Sequence, residues 1–145
     1  MSSSQTCWLN STCFFEAHTT SDVAFGLKIV TTLGSKFATR SGGHQQNPNF
    51  SSIDDGVLID MSRLNSTNLS QDRKTVTLGT GNRWGEVYSG LEEYGLAAVG
   101  GRSGDVGVGG LILGGESFLC IPLPRPVLTR TSWNPLFLLQ VRLCL

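Results

Sequence analysis

At 145 residues the chain has room for one domain, and a unit of this size buries about 68–70% of the surface its unfolded form exposes. Its 11 basic and 11 acidic residues cancel, which excludes a field drawing it to nucleic acid or to an anionic membrane and favours a small-molecule partner. The 18 glycines, in a sequence that is neither periodic nor of low complexity, demand many positions with positive φ or close main-chain approach. In chain order, the first five residues are polar, with no basic start and no apolar run, so no signal peptide is read. Residues 12–15 read as a strand. Thr20 is expected to cap a helix to residue 32, with Val23, Leu27 and Val30 on one face and Gly34 at its end. Residues 36–40, 57–60 and 75–78 are short strand-forming runs, the latter two bounded by Gly, Asp and Ser. Asn82 stands where it can cap a second helix, 83–93, with Trp84, Val87, Tyr88 and Leu91 on one side and Gly95 as its stop. Residues 96–99 read as a strand, and a turn then leads to a short helix around 106–113. The pattern is α+β or α/β, with no internal repeat and no apolar stretch long enough to span a bilayer.

Composition changes near residue 119. All 18 glycines and all 11 acidic residues precede residue 120, while Pro122, Pro124, Pro126 and Pro135 follow it. Residues 120–145 carry Arg125, Arg130 and Arg142 without an acid, so 7–119 is read as the domain and 120–145 as an aberrant, irregular tail. That tail is either a Pro-rich extension or the product of a coding frame lost near Cys120; residues 136–139 are apolar but short and are read as a strand, a frayed helix turn or no element at all. Cys7, Cys13, Cys120 and Cys144 contain no C-x-x-C pair and no histidine at ligand spacing, so no metal site is expected, and a bridge between Cys7 and Cys13 stays open. Sequons at Asn10, Asn49, Asn65 and Asn68 would suit a secreted chain, although a Ser/Thr-rich sequence also produces them by chance.

Two segments have the composition of a ligand site. In Arg40-Ser41-Gly42-Gly43-His44, just after a strand, adjacent glycines let successive N–H groups form an anion-binding nest, Ser41 adds a hydroxyl, and His44 stands at the rim. In residues 100–115 glycine is too frequent for a packed helix or an ordinary strand. Each glycine costs roughly 0.5–1 kcal/mol relative to alanine, and main-chain approach to a ligand at the start of a helix is the expected compensation. Neither segment has the Rossmann fingerprint, Gly79-Thr80-Gly81 lacks its third glycine, and Gly34-Ser35-Lys36 is not a Walker motif. A nicotinamide Rossmann domain and a P-loop enzyme are therefore not expected.

Four ordered motifs, residues 37–44, 53–64, 81–85 and 100–115, resemble the FAD-binding domain of the vanillyl-alcohol oxidase and p-cresol methylhydroxylase (PCMH) type, closest to its berberine-bridge-enzyme-like branch. The resemblance covers about residues 7–119 and implies an α+β fold: the N-terminal half of a PCMH-type FAD-binding domain, with mixed sheets and packed helices. It implies FAD as cofactor, held by Arg40, Ser41, Gly42, Gly43 and His44, with His44 bonded to the flavin 8α carbon. Gly101, Ser103, Gly104, Asp105, Val106, Gly107, Gly109 and Gly110 would line the remaining diphosphate and ribityl path. Many relatives place a second, cysteinyl flavin link in this later segment; Ser103 stands there, so a double link is not expected. Arg102 is read as a surface residue or a source of charge, Trp84 and Tyr88 as core, His18 as surface, and Asp54 and Asp55 as a turn. Full-length members, often secreted, pass a hydride from a small organic substrate to flavin N5 and reoxidise with dioxygen. The residues that choose the substrate and the catalytic base are outside the resemblance. The rival readings are a non-catalytic FAD- or nucleotide-binding fragment and an inactive, truncated gene product.

Overall fold

The computed structural model describes residues 9–114, 132–134 and 138–144, the last two spans by their main chain. Strand β1 (Cys13–Glu16) leads into helix α1 (Thr20–Thr32), followed by β2 (Phe37–Arg40). The cap of α1 is Thr19 rather than Thr20. Its hydroxyl accepts the Asp22 N–H at 3.1 Å while the Asp22 carboxylate accepts the Thr19 N–H at 2.8 Å. Such a box needs an acid three residues on; Asp22 stands there from Thr19, whereas Val23 stands there from Thr20. Val23 and Val30 are buried, as the helical period requires, and Gly34 ends the helix at φ 62°.

Strand β3 (Val57–Asp60) is the centre of a three-stranded parallel sheet in the order β1-β3-β2. The register sets Glu16 and Arg40 on either side of Asp60. Leu58 and Ile59 are buried, as expected of a central strand covered on both faces.

The second sheet begins with β4 (Thr67–Leu69), antiparallel to β5 (Thr75–Gly79). The turn between them closes on itself: the Ser70 hydroxyl accepts the Thr75 N–H at 3.0 Å and donates to Asp72 at 2.7 Å, and Arg73 takes φ 55°. Helix α2 (Trp84–Glu92) follows with Arg83 at its N-cap, and then β6 (Ala97–Ala98) and α3 (Val108–Gly114). Asn82 does not cap α2. It is buried, and its amide donates to Ser66 O at 2.8 Å and Gly79 O at 3.0 Å, tying the approach to β4 to the end of β5. Val76 and Leu78 of β5, Trp84, Val87 and Leu91 of α2 and Val108 of α3 form the main core.

Within the tail read as irregular, Ser132–Asn134 forms β7 and Leu138–Cys144 forms β8. Strand β8 pairs antiparallel with β5, β6 and β7. The edge of β5 away from β4 presents unpaired N–H and C=O groups, and an extended segment satisfies them whatever the composition around it. Cys7 lies outside the described residues; Cys13 is exposed as a free thiol. Among the described residues no helix is long and apolar enough to cross a membrane.

Candidate functional site

Three connections meet: residues 41–44 after β2, 80–83 between β5 and α2, and 101–107 ahead of α3. The closest approach is main chain on main chain. Gly42 and Gly107 are both buried, and a Cβ on either would overlap the backbone of the other. The Ser41 hydroxyl donates to Thr80 O at 2.5 Å, and the same oxygen accepts the Gly109 N–H at 3.3 Å. Arg83 and Gly107 form an antiparallel bridge, flanked by Trp84 N–H to Val106 O at 3.0 Å and Val108 N–H to Asn82 O at 2.9 Å. The Arg83 guanidinium donates to Gly42 O at 3.1 Å and also to Asp105 O.

The two segments singled out in the sequence are therefore adjacent, but their members have different parts. Arg40 is engaged by Asp60, with Nε and Nη2 at 2.8 and 2.6 Å from Oδ2. Burial pushes the Asp60 carboxyl up, yet hydrogen bonds from the Ser62 hydroxyl and amide and from Arg40, with the Arg40 charge, outweigh it and hold the group below its ordinary value. Ser41 has its one hydroxyl proton directed at Thr80 O, so only its main chain is available as a donor to an anion. Gly43 is buried at φ 67°, and the N–H groups of Gly42 and Gly43 donate to no acceptor among the described residues. His44 is half-buried, with Nε2 3.6 Å from Asp105 Oδ2. A hydrogen bond from the Ser103 hydroxyl, then the nearby His44 and Arg83, hold the exposed Asp105 below the usual carboxylate range.

Most glycines of the later segment lie against the protein's own atoms. Gly100 and Gly101 lie against the indole of the fully buried Trp84, Gly104 against the main chain of Gly85, and Gly109 against Thr80. A Cβ on Gly110 would meet open space. Tyr88 stacks on Trp84 with centroids 5.7 Å apart and donates its hydroxyl to Gly101 O at 2.7 Å, so both aromatics belong to the core. Arg102 is exposed and Val106 half-buried. His18 is exposed beside Glu16 at 3.2 Å, and Asp55 takes φ 53° in a turn. Residues 81–85 were one of the four motifs, but the part Arg83 plays was not read from them, because its acceptors Gly42 O and Asp105 O lie 41 and 22 residues away. Among the described residues no three of His, Cys, Asp and Glu converge as metal ligands would.

Residues 11–120 match the family model described as FAD binding domain. An FAD-dependent monooxygenase, macF of Penicillium terrestre, is 51% identical over 112 residues, which are 77% of this chain and 22% of that protein. The fold is shared with glucooligosaccharide oxidase of Acremonium strictum, with a TM-score of 0.70 and 21% identity over 79% of this chain and 24% of the other. A BBE-like protein of Physcomitrella patens gives a TM-score of 0.57 at 26% identity, over 67% and 21% of the two chains. The chain thus spans about a fifth of the length of the curated relatives it matches. With the two glycine segments side by side and the family model covering most of the chain, the protein belongs to the FAD binding domain family of FAD-linked oxidoreductases, of the vanillyl-alcohol oxidase/PCMH and berberine-bridge-enzyme-like type.

Proposed function

We propose that this chain holds the diphosphate of FAD between residues 40–44 and 101–110, tethers the flavin through His44, and serves a polypeptide that oxidises a small organic substrate. The observation that carries the reading is the main-chain contact of Gly42 with Gly107. The donor set fits the cofactor. Two buried amides, of Gly42 and Gly43, have no acceptor among the described residues, and the left-handed Gly43 at φ 67° suits a nest that gathers such amides around an anion. Gly42 and Gly43 hold the diphosphate by their N–H groups, with Arg40 and Ser41 bracing the loop from behind through Asp60 and Thr80. Gly101, Ser103, Gly104, Asp105, Val106, Gly107, Gly109 and Gly110 form the facing wall. The cofactor unit is residues 7–119, in line with the family match over 11–120.

When bound, FAD supplies acceptance of a hydride at N5 and return of the electrons to dioxygen. The chain's part is to bind, orient and tether. The Asp105 carboxylate, 3.6 Å from Nε2, steadies the orientation of the His44 ring. A bond from that ring to the flavin 8α carbon, formed as the carbon and the ring nitrogen each lose a hydrogen and the two electrons pass through the flavin to dioxygen, would prevent loss of the cofactor. The names of the curated relatives favour a second fate for dioxygen: as in a monooxygenase, one oxygen atom would enter the product. Labelled dioxygen in the product would separate that from release of hydrogen peroxide.

The test uses the 145-residue chain loaded with FAD and then denatured in acid. Flavin is expected to stay with the polypeptide, raising its mass by one FAD less two hydrogens. In His44→Ala the flavin should leave with the acid supernatant, although binding before denaturation persists. An apoprotein mass at full loading would reject the tether, and absence of any binding would reject the cradle.

A further inference from the structure

We infer that Arg83 is the positioning residue of the cradle: by gripping the Gly42 carbonyl it orients and polarises the peptide whose amide meets the diphosphate. The inference rests on the cofactor reading above. Arg83 is fixed at its own main chain first, through the bridge to Gly107 and through its N–H, which donates to Glu86 Oε2 at 3.2 Å. From that anchor one guanidinium reaches carbonyls in both glycine segments, Gly42 O at 3.1 Å and Asp105 O. A planar fork with donors in fixed directions can do this; a single ammonium cannot hold two carbonyls with the same rigidity.

The consequence follows from the planarity of the peptide unit. Among the described residues no peptide bond is cis, so the carbonyl of Gly42 and the N–H of Gly43 point in opposite directions from one plane. Fixing the oxygen towards Arg83 fixes the Gly43 amide on the far side, where no described acceptor engages it. A cation on the carbonyl end also draws electron density from the amide, which makes that N–H a stronger donor to an anion.

The charge is the second observation. Arg40 and Arg63 are paired with Asp60 and Glu16, whereas among the described residues the Arg83 guanidinium bonds directly to neutral carbonyl oxygens, and the Asp105 carboxylate feels its charge without a direct ion pair. A guanidinium held by carbonyls rather than by a directly paired carboxylate has charge left to meet a bound anion.

The experiment compares the 145-residue chain with Arg83→Lys and Arg83→Met. The two variants have side chains of similar length, so a merely space-filling role would not distinguish them. FAD titration is expected to rank the affinities Arg, Lys, Met, with the Met variant weaker by about tenfold or more, while the thermal midpoints of the two cofactor-free variants agree. In the cofactor-free chain the Gly43 amide resonance should move upfield in Arg83→Met and move less in Arg83→Lys. Equal FAD affinities for Lys and Met, or an unmoved Gly43 amide in Met, would overturn the inference. If Arg83→Met does not fold, wild type against Arg83→Lys decides it by the same two readings. Failure of the wild-type chain to take FAD would sink the cofactor reading instead, and the amide comparison would still decide whether Arg83 orients that peptide.

Discussion

Gly107 and Gly110 stand three residues apart and should respond oppositely to a methyl group. At Gly107 the new carbon would fall on the main chain of Gly42, which has no flexible end to yield. Gly107→Ala is expected to destabilise by about 2–3 kcal/mol, as overpacking against fixed atoms does. Gly110, exposed within α3, meets open space, so Gly110→Ala should gain about 0.5–1 kcal/mol from helix propensity. Urea midpoints of the cofactor-free variants measure both, and a loss at Gly110 would show that the segment is not packed as described. These residues also mark what the sequence disclosed. A cluster of glycines signals close approach but not to what, and for Gly100 and Gly101 the neighbour is the Trp84 indole. Ser41 was legible as part of a loop after a strand; that its proton goes to Thr80 was not, because the acceptor lies 39 residues away.

Elements with their own local signals were legible. Helix α1 has its period and its terminal Gly34, α2 its buried face, and β3 and β5 their β-branched runs between turn residues. Strand β4 was not, because Thr67, Asn68 and Leu69 have no alternation to read and become a strand only by pairing with β5. Asn82 misled because an Asn before a helix is usually its cap; here its amide is needed by two carbonyls in the second sheet. The parallel sheet supplies the pH dependence. Arg40 of β2 faces Asp60 of β3 in register, and the Asp60 side chain is only 6% exposed. Removing one partner of a buried pair leaves the other uncompensated. Asp60→Asn should cost about 3 kcal/mol, the lower end for such pairs because Arg40 keeps some solvent contact. The Asp60 value is lowered by folding, so in acid the unfolded chain takes up the proton first. Its stabilisation is complete above roughly pH 4, the unfolded value, and is lost as pH falls through the lower folded value. Denaturation between pH 5 and pH 2 should therefore be steeper for wild type than for Asp60→Asn; parallel curves would rule out this linkage.

On the scale of the whole molecule, the outer face of α1 carries Phe25, Ile29 and Leu33 at four-residue spacing, and Phe25 and Leu33 are 63% and 72% exposed. An apolar stripe of this kind drives association in water. Phe25→Glu combined with Leu33→Lys should lower light scattering at high concentration and shift stability by no more than about 0.5 kcal/mol. A large fall in the urea midpoint would mean that the stripe belongs to the core. That two glycine segments lie side by side was expected from the order of four motifs, whereas the junction that joins them depends on pairings between distant residues. The meeting of Gly42 with Gly107 also sets a timetable. During synthesis the first wall of the proposed cradle is made long before the second, so no growing chain can capture flavin until both sheets have assembled. Flavin uptake then becomes a late event that reports completed folding, and its rate should follow the slow closure of long-range contacts rather than the fast formation of α1 and α2.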